Sequence, residues 1–327
     1  MKKRIAIISG VVVVLLGLGY LLISAVVYYQ IAPVSARCER RDIEATFTPD
    51  NFQPASYPPP DFSTTPYLMP IYEDIVFPSR DAKIMISGFY MPAQNIDEPT
   101  TAPAVIIVHG LNDCKRRTFI LTAAGMLNKQ GFNILALDLR DHGDSTIEDG
   151  RQAGGSEEFR DVLGGYDWLI SEKQIAENRI GLMGFSLGGS TVMIAAGEEP
   201  RIAAVWEDSG FGDLSKIIST ELQRNGVPTI FGSGMVFIGQ LIAGDALLAY
   251  QPLAEVAKFN GRPLYIVHGS NDTRVSVESA TDIAAAINAN GGQVIPWITD
   301  SKHIESIFYH TTEYEARLVQ FFKQNLP

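Results

Sequence analysis

The pentapeptide Gly184-Phe185-Ser186-Leu187-Gly188, followed by Gly189, stands where a strand-like run, Arg179-Ile180-Gly181-Leu182-Met183, gives way to a helical pattern over Leu187–Gly197. Glycines two before and two after the serine remove the Cβ clashes of a very tight turn. The chain can then pass from strand to helix through a strained serine whose Oγ stands above the sheet edge. The new helix starts at the serine, so its free N–H groups and positive end favour a developing oxyanion. Such a turn has meaning only inside a sheet flanked by helices, and the rest of the chain supplies one.

From Ile71 on, strand-length apolar runs alternate with helical patterns. Candidate strands are Asp74–Pro78, Ile84–Met91, Ala104–His109, Asn133–Asp138, Arg179–Phe185, Ala203–Asp208, Leu264–His268 and Gln293–Ile298. Helical stretches are Arg117–Lys129, Glu157–Glu172, Leu187–Gly197, Ser276–Asn290 and Ile304–Gln324. Continuous β-branched runs such as Ala104–Val108 read as central strands buried on both faces. The alternation predicts a mostly parallel eight-stranded sheet with helices on both sides. Between Asp208 and Pro263 the alternation fails for about fifty residues, which reads as a helical cap over residues of about 210–262. With 46% hydrophobic and 19% charged residues the chain can bury a core. A net charge of −11 argues against nucleic acid as a partner, because a binder needs a cationic footprint.

The N-terminal segment is of another kind. After Lys2, Lys3 and Arg4, residues Ile5–Ala36 carry no charge. The apolar part, Ile5–Tyr29, reaches about 37 Å as a helix, enough to cross a hydrocarbon core of about 30 Å. Residues 1–31 therefore read as an uncleaved single-pass membrane anchor. A cleaved signal at Val34-Ser35-Ala36 is the rival, disfavoured because the apolar stretch exceeds a signal h-region. Basic residues directly before the span favour the N-terminus inside and an extracytoplasmic domain. Residues 32–70 hold eight of the 18 prolines. They read either as an extended tether or as a strap packed on the domain, which would then occupy 71–327. Removal of residues 1–36 is expected to leave a soluble, active domain.

A serine nucleophile needs a base and an orienting carboxylate. His303 follows the last strand, in a loop at the carboxyl end of the sheet, and is the candidate base, with His310 behind it. Asp272 stands in the loop after Leu264–His268, with Asp208 as fallback. The order Ser186, Asp272, His303 is the one this arrangement requires. His109, His142 and His268 close strands or strand-end loops and read as loop-shaping residues. In the cap, Phe231, Met235, Phe237, Ile238 and Leu241 are expected to line an acyl pocket. Lys115-Arg116-Arg117 reads either as a clamp for an anionic group or as a cluster paired with acids. Cys38 and Cys114 could pair outside the cytoplasm, though free thiols are the expected state. The histidines show no metal-ligand spacing, so neither metal nor organic cofactor is expected.

These residues together resemble an α/β-hydrolase-fold serine hydrolase. The chain is similar to the membrane-anchored dipeptidyl-peptidase-and-esterase-like group and to monoacylglycerol-lipase-like ABHD proteins. The resemblance covers roughly 71–327 and rests on His109-Gly110, Asp138–Ser145, the elbow, Asp272 and His303. Asp138–Ser145 resembles a D-x-R-G-x-G-x-S loop, with Asp141 in the place of the first glycine. The resemblance implies an oxyanion hole from the backbone N–H groups of Leu111 and Leu187. It also implies hydrolysis of a carboxylic or lipid ester through an acyl-enzyme at Ser186. A serine peptidase and a catalytically inactive binding protein of the same fold are the alternatives. Acyl-chain length, leaving group and oligomeric state are not legible.

Overall fold

In a computed structural model, residues 2–34, 42–55, 58–59, 61–81, 83–96 and 98–326 are described, and the account below concerns these. The chain begins with α1 (Lys2–Ile31), continues through β1 (Glu73–Pro78), β2 (Met85–Met91) and β3 (Ala104–Val108), then α2 (Thr118–Asn128) and β4 (Asn133–Leu137). Next come α3 (Phe159–Ser171), β5 (Ile180–Phe185), α4 (Leu187–Glu198) and β6 (Ala204–Asp208). The cap carries α5 (Leu214–Arg224), α6 (Gly232–Ile238) and the short α7 (Pro252–Val256). The chain closes with β7 (Leu264–Gly269), α8 (Glu278–Ala289), β8 (Trp297–Thr299), α9 (Ser306–Tyr309) and α10 (Thr311–Asn325).

The eight strands form one sheet in the order β1-β2-β4-β3-β5-β6-β7-β8. β2 runs antiparallel to both neighbours, and every other pair is parallel. The period-2 alternation of strand side chains feeds two cores. Ala104, Ile106 and Val108 of β3 face a layer built from α3, α4 and α8. Val105 and Ile107 face the layer of α2 and α10. Both faces are covered, which is why β3, β4, β5 and β6 are buried at every position.

Two expected elements come out shorter. The last strand starts only at Trp297, because Pro296 has no N–H for the ladder. The helix expected over Ile304–Gln324 breaks at His310 into α9 and α10. The described residues of the proline-rich segment pack on the domain as a strap. Phe47, Phe52, Tyr67 and Met69 are buried against α2 and the second core. The Thr118 hydroxyl donates to Glu44 at 3.0 Å, and Met69 N–H donates to the Pro49 carbonyl at 2.8 Å.

By length and composition α1 is apolar enough to cross a membrane. Its residues 3–18 are all exposed, whereas Ser24, Val27 and Tyr28 are buried. A third apolar cluster contains Val27, Tyr28 and Ala32 together with Leu214, Ile218, Met235 and Ile238 of the cap.

Candidate active site

Strand β5 delivers the chain to Ser186 at φ 54° and ψ −119°, a backbone that side-chain-bearing residues rarely adopt. Two glycines permit the turn. A Cβ on Gly184 would overlap the Gly188 carbonyl, and a Cβ on Gly188 would overlap the Val108 and His109 carbonyls. Helix α4 begins at Leu187, so its first amides point toward Ser186 Oγ.

The loops after β7 and β8 bring two side chains to this serine. His303 Nε2 lies 2.9 Å from Ser186 Oγ, and His303 Nδ1 lies 2.6 Å from Asp272 Oδ2. A carboxylate only accepts, so the ring proton sits on Nδ1 and Nε2 is left to accept from the serine hydroxyl. Asp272 Oδ1 accepts the N–H groups of Arg274 at 2.7 Å and Val275 at 2.9 Å. Burial pushes the Asp272 carboxyl up, but hydrogen bonds from His268 and His303 outweigh it and hold the group well below the usual carboxylate range. Asp272 is thus ionised at neutral pH.

His268 has a place beyond loop shaping. Its Nε2 donates to the Val275 carbonyl at 3.0 Å and lies 3.4 Å from Asp272 Oδ2. Burial lowers its pKa, yet Asp272 and Glu207 pull the net shift upward. Its Nδ1 and Glu207 Oε1 are both buried without a hydrogen-bond partner among the described residues. A histidine closing a strand four residues before the candidate Asp272 was the available signal for this neighbour.

His109 and His142 hold the loop after β3. His109 Nδ1–H donates to Gly110 O at 2.7 Å, and its Nε2 accepts from Leu139 N–H at 3.1 Å. His142 repeats the pattern with Arg140 O at 2.8 Å and Asn112 N–H at 3.3 Å. Burial drives the His109 pKa down to about 3 and lowers that of His142, so both stay neutral. The loop they fix lies against the elbow: a Cβ on Gly110 would stand 3.2 Å from Ser186 Cβ. Among the described residues, no hydrogen bond engages the N–H of Leu111 or Leu187. Asp141 takes the left-handed conformation of the glycine it replaces, at φ 62°. Its Oδ1 accepts the N–H groups of Glu148 and Gly150, both at 2.8 Å, so the carboxylate organises the next turn.

The Lys115-Arg116-Arg117 cluster pairs with acids rather than facing a ligand. Buried Lys115 bridges Asp138 at 2.6 Å and Asp144 at 2.7 Å. Arg116 reaches Asp144 and the Phe47 carbonyl, and Arg117 pairs with Glu44 and Asp113. The three bases pin the strap and the Asp138–Ser145 loop. Cys114 is disulfide-bonded, not a free thiol, and Cys38 lies outside the described residues. His310 pairs at the surface with Asp300 at 2.7 Å, away from Ser186. Asp208 accepts from Tyr314 and Ser209, both at 2.8 Å, and is not the partner of His303. Among the described residues no group of three or more His, Cys, Asp or Glu could hold a metal ion.

Above Ser186 lies a cavity of about 420 Å³. Of the five expected pocket residues, only Met235 lines it. Ile238 is buried inside the cap, and Phe231 stacks on Tyr20 of α1 with ring centroids 5.6 Å apart. Phe237 and Leu241 are 43% and 71% exposed and face outward. Helix α6 has one inward face, which 235 and 238 share and 237 does not, and Leu241 lies in the π-helical turn that follows. The walls that sequence reasoning missed are Leu214, Ile217 and Ile218 of α5 and, from the end of α1, Gln30 and Ile31.

Sheet order, elbow and the three-residue chain define an α/β-hydrolase of the serine-hydrolase kind. Residues 117–327 match the prolyl oligopeptidase family, and the chain belongs to it. In structure it is similar to the Pyrococcus furiosus esterase Pf2001, with a TM-score of 0.64, 22% identity, and coverage of 84% of this chain and 100% of that one. In sequence it is 28% identical over 198 residues to 2,6-dihydropseudooxynicotine hydrolase of Paenarthrobacter nicotinovorans, covering 60% of this chain and 52% of the relative. It is 29% identical over 138 residues to a 31.7 kDa protein from the traX-finO intergenic region of Escherichia coli, covering 42% and 46%. The alignments thus span about half the length of these curated relatives.

Proposed function

We propose that this protein hydrolyses a carboxylic ester, with Ser186 as nucleophile, His303 as general base and Asp272 as the orienting carboxylate. The observation that carries the reading is the hydrogen-bonded chain Asp272–His303–Ser186, with the serine on a strained elbow beneath a cavity that joins aliphatic walls such as Leu214, Ile217 and Ile218 to polar ones such as Gln152 and Glu221. In this reading His303 Nε2 takes the hydroxyl proton as Ser186 Oγ attacks the acyl carbon. The N–H groups of Leu111 and Leu187 receive the oxyanion. Collapse of the tetrahedral intermediate expels the alcohol, which leaves with the proton held on His303. A water deprotonated by the same nitrogen then releases the acid from the acyl-enzyme.

In the same reading, α1 anchors the chain in a membrane with the N-terminus inside and the hydrolase domain outside. The disulfide at Cys114 supports the outer compartment, since disulfides persist where the surroundings oxidise. The family favours a second reading, cleavage of a peptide amide, because it is named for a peptidase. Detergent-solubilised full-length protein decides between them. Fluorophosphonate labelling should occur and vanish in Ser186→Ala. Turnover of p-nitrophenyl acyl esters should exceed that of aminoacyl amides. Ser186→Ala and His303→Ala should each lower kcat by several orders of magnitude, with the double variant hardly worse, because the groups act as a unit. Absent labelling would favour an inactive binding protein, and preference for amides would favour the peptidase.

A further inference from the structure

The anchor helix does not simply stop at the domain. Tyr20 Oη accepts the Gly234 N–H at 2.9 Å and donates to the Ile230 carbonyl at 2.9 Å. Gly234 sits so close to α1 that a Cβ there would overlap Ser24 Oγ. One helical turn later Tyr28 is fully buried, its hydroxyl bonded to Asp245, which Arg151 pairs at 2.9 Å. Helix α1 and the cap are therefore docked from residue 20 to residue 32.

That docking fixes the height of the cap relative to a bilayer. A hydrocarbon core of about 30 Å takes about 20 helical residues. Counted from Ile5, the first residue past Arg4, that length ends at Ser24. Tyr20 and Ser24 then lie in the last apolar turn, and Ile230, Phe231 and Gly234 lie beside them at the same depth. Residues 225–244 carry no charge. Ile230 is 70% and Phe237 43% exposed. Exposed apolar side chains beside an exposed apolar helix are costly in water and need a cover. Tyr20 and Ser24 join this segment to α1, whose residues 5–18 are exposed and carry no charge. Leu241 and Ile242 lie beyond Gly239, which packs on Tyr28 about 6 Å further along the helix than Ser24. Gln30 and Ile31, which line the Ser186 cavity, follow Ser24 by six and seven residues, about 9–10 Å further along the helix. This is the outer edge of the headgroup layer, which is about 5–8 Å deep on each side.

We propose that the cap face formed by Ile230 and Phe237 inserts into the bilayer that α1 crosses, with Leu241 and Ile242 above it at the headgroups. The mouth of the Ser186 cavity then opens at the lipid surface, and the substrate is an acyl lipid drawn from that bilayer. The proposal rests on the membrane and ester readings above, and each of those has its own readout. Retention in membranes after alkaline carbonate washing checks the span. Turnover of soluble p-nitrophenyl acetate checks the ester chemistry. Neither requires the cap to insert.

Two measurements on the full chain in phosphatidylcholine vesicles test the insertion itself. Ile230→Trp should add emission that lipids brominated on the acyl chain quench strongly, while parental emission changes little. The double variant Ile230→Glu, Phe237→Glu should lower turnover of a long-chain fluorogenic acyl ester dissolved in the vesicles by about tenfold, because charge at an inserted face is disfavoured. Its turnover of p-nitrophenyl acetate should stay near the parental value, since neither side chain lines the cavity. Emission that brominated lipids leave untouched overturns the insertion whatever the Glu variant does. Vesicle turnover equal to that of the parent overturns the lipid route.

Discussion

Asp272 presents one carboxylate oxygen to two imidazoles, His303 at 2.6 Å and His268 at 3.4 Å. Behind His268 stands Glu207, fully buried, with Oε2 accepting the Gly210 N–H at 2.8 Å. Burial pushes the Glu207 carboxyl up to about 7, partly opposed by His268. The folded state therefore keeps a proton that the unfolded chain loses near its ordinary value of 4.5. Between those limits the native state binds more protons, so stability falls as pH rises, by at most about 1.4 kcal/mol per pH unit for this one group. Asp208, raised by burial to about 6, adds a second fall lower in the same window. Glu207→Gln keeps the acceptor for Gly210 and removes the titration. Thermal midpoints measured from pH 5 to pH 8 should therefore decline less in Glu207→Gln than in the parent. Parallel curves would show that Glu207 is already ionised at pH 5.

At the scale of elements, the cap is where the reading of sequence and the structure diverge. In α5, Leu214, Ile218 and Leu222 repeat at a spacing that leaves one apolar face, and these three are buried. The stretch Ile230–Tyr250 is apolar all round, so no phase tells which side chains turn inward. The same holds for α1, where a charge-free run announces a span but hides the face that docks. The strap was ambiguous for a related reason: Phe47, Phe52, Tyr67 and Met69 follow no period, and only distant residues of the fold bury them. The elbow, by contrast, is written in adjacent residues, and the loops carrying Asp272 and His303 follow strands that the sequence marks well. The observed phase of α6 makes the acyl-pocket expectation sharper. If the acyl chain enters the cavity, each buried methylene can add up to about 0.8 kcal/mol, so kcat/KM should rise several-fold from acetyl to hexanoyl esters. Met235→Asp, on the inner face, should flatten that rise. Phe237→Asp, on the outer face, should leave it intact for soluble esters. Equal effects from the two would mean that the chain-length preference comes from elsewhere.

For the whole molecule, the question is where the apolar N-terminal helix ends and the enzyme begins. A boundary near residue 31 is what hydropathy suggests, but the packing puts it higher up the helix. Val27, Tyr28 and Ala32 fill the same cluster as Leu187 and Phe211 beside the elbow. The following backbone is tied in as well, with Val34 N–H on the Gly150 carbonyl at 2.8 Å and Gln152 N–H on the Ala32 carbonyl at 3.2 Å. Removing residues 1–36 therefore takes away a wall of the cavity, along with the Tyr28 partner of Asp245. Burial of Val27 and Tyr28 alone stabilises by about 3–6 kcal/mol on a scale of 1.5–3 kcal/mol per large apolar side chain. In the shorter truncation, of residues 1–18, the described side chains from 3 to 18 are all exposed. The two truncations should thus separate. The shorter one should keep the thermal midpoint and soluble-ester kcat/KM of the parent in detergent, whereas the longer one should unfold at lower temperature and lose turnover. If the longer truncation matches the parent in both, the end of α1 is a passenger on the cap. The hydrolase would then be a domain merely tethered to its helix.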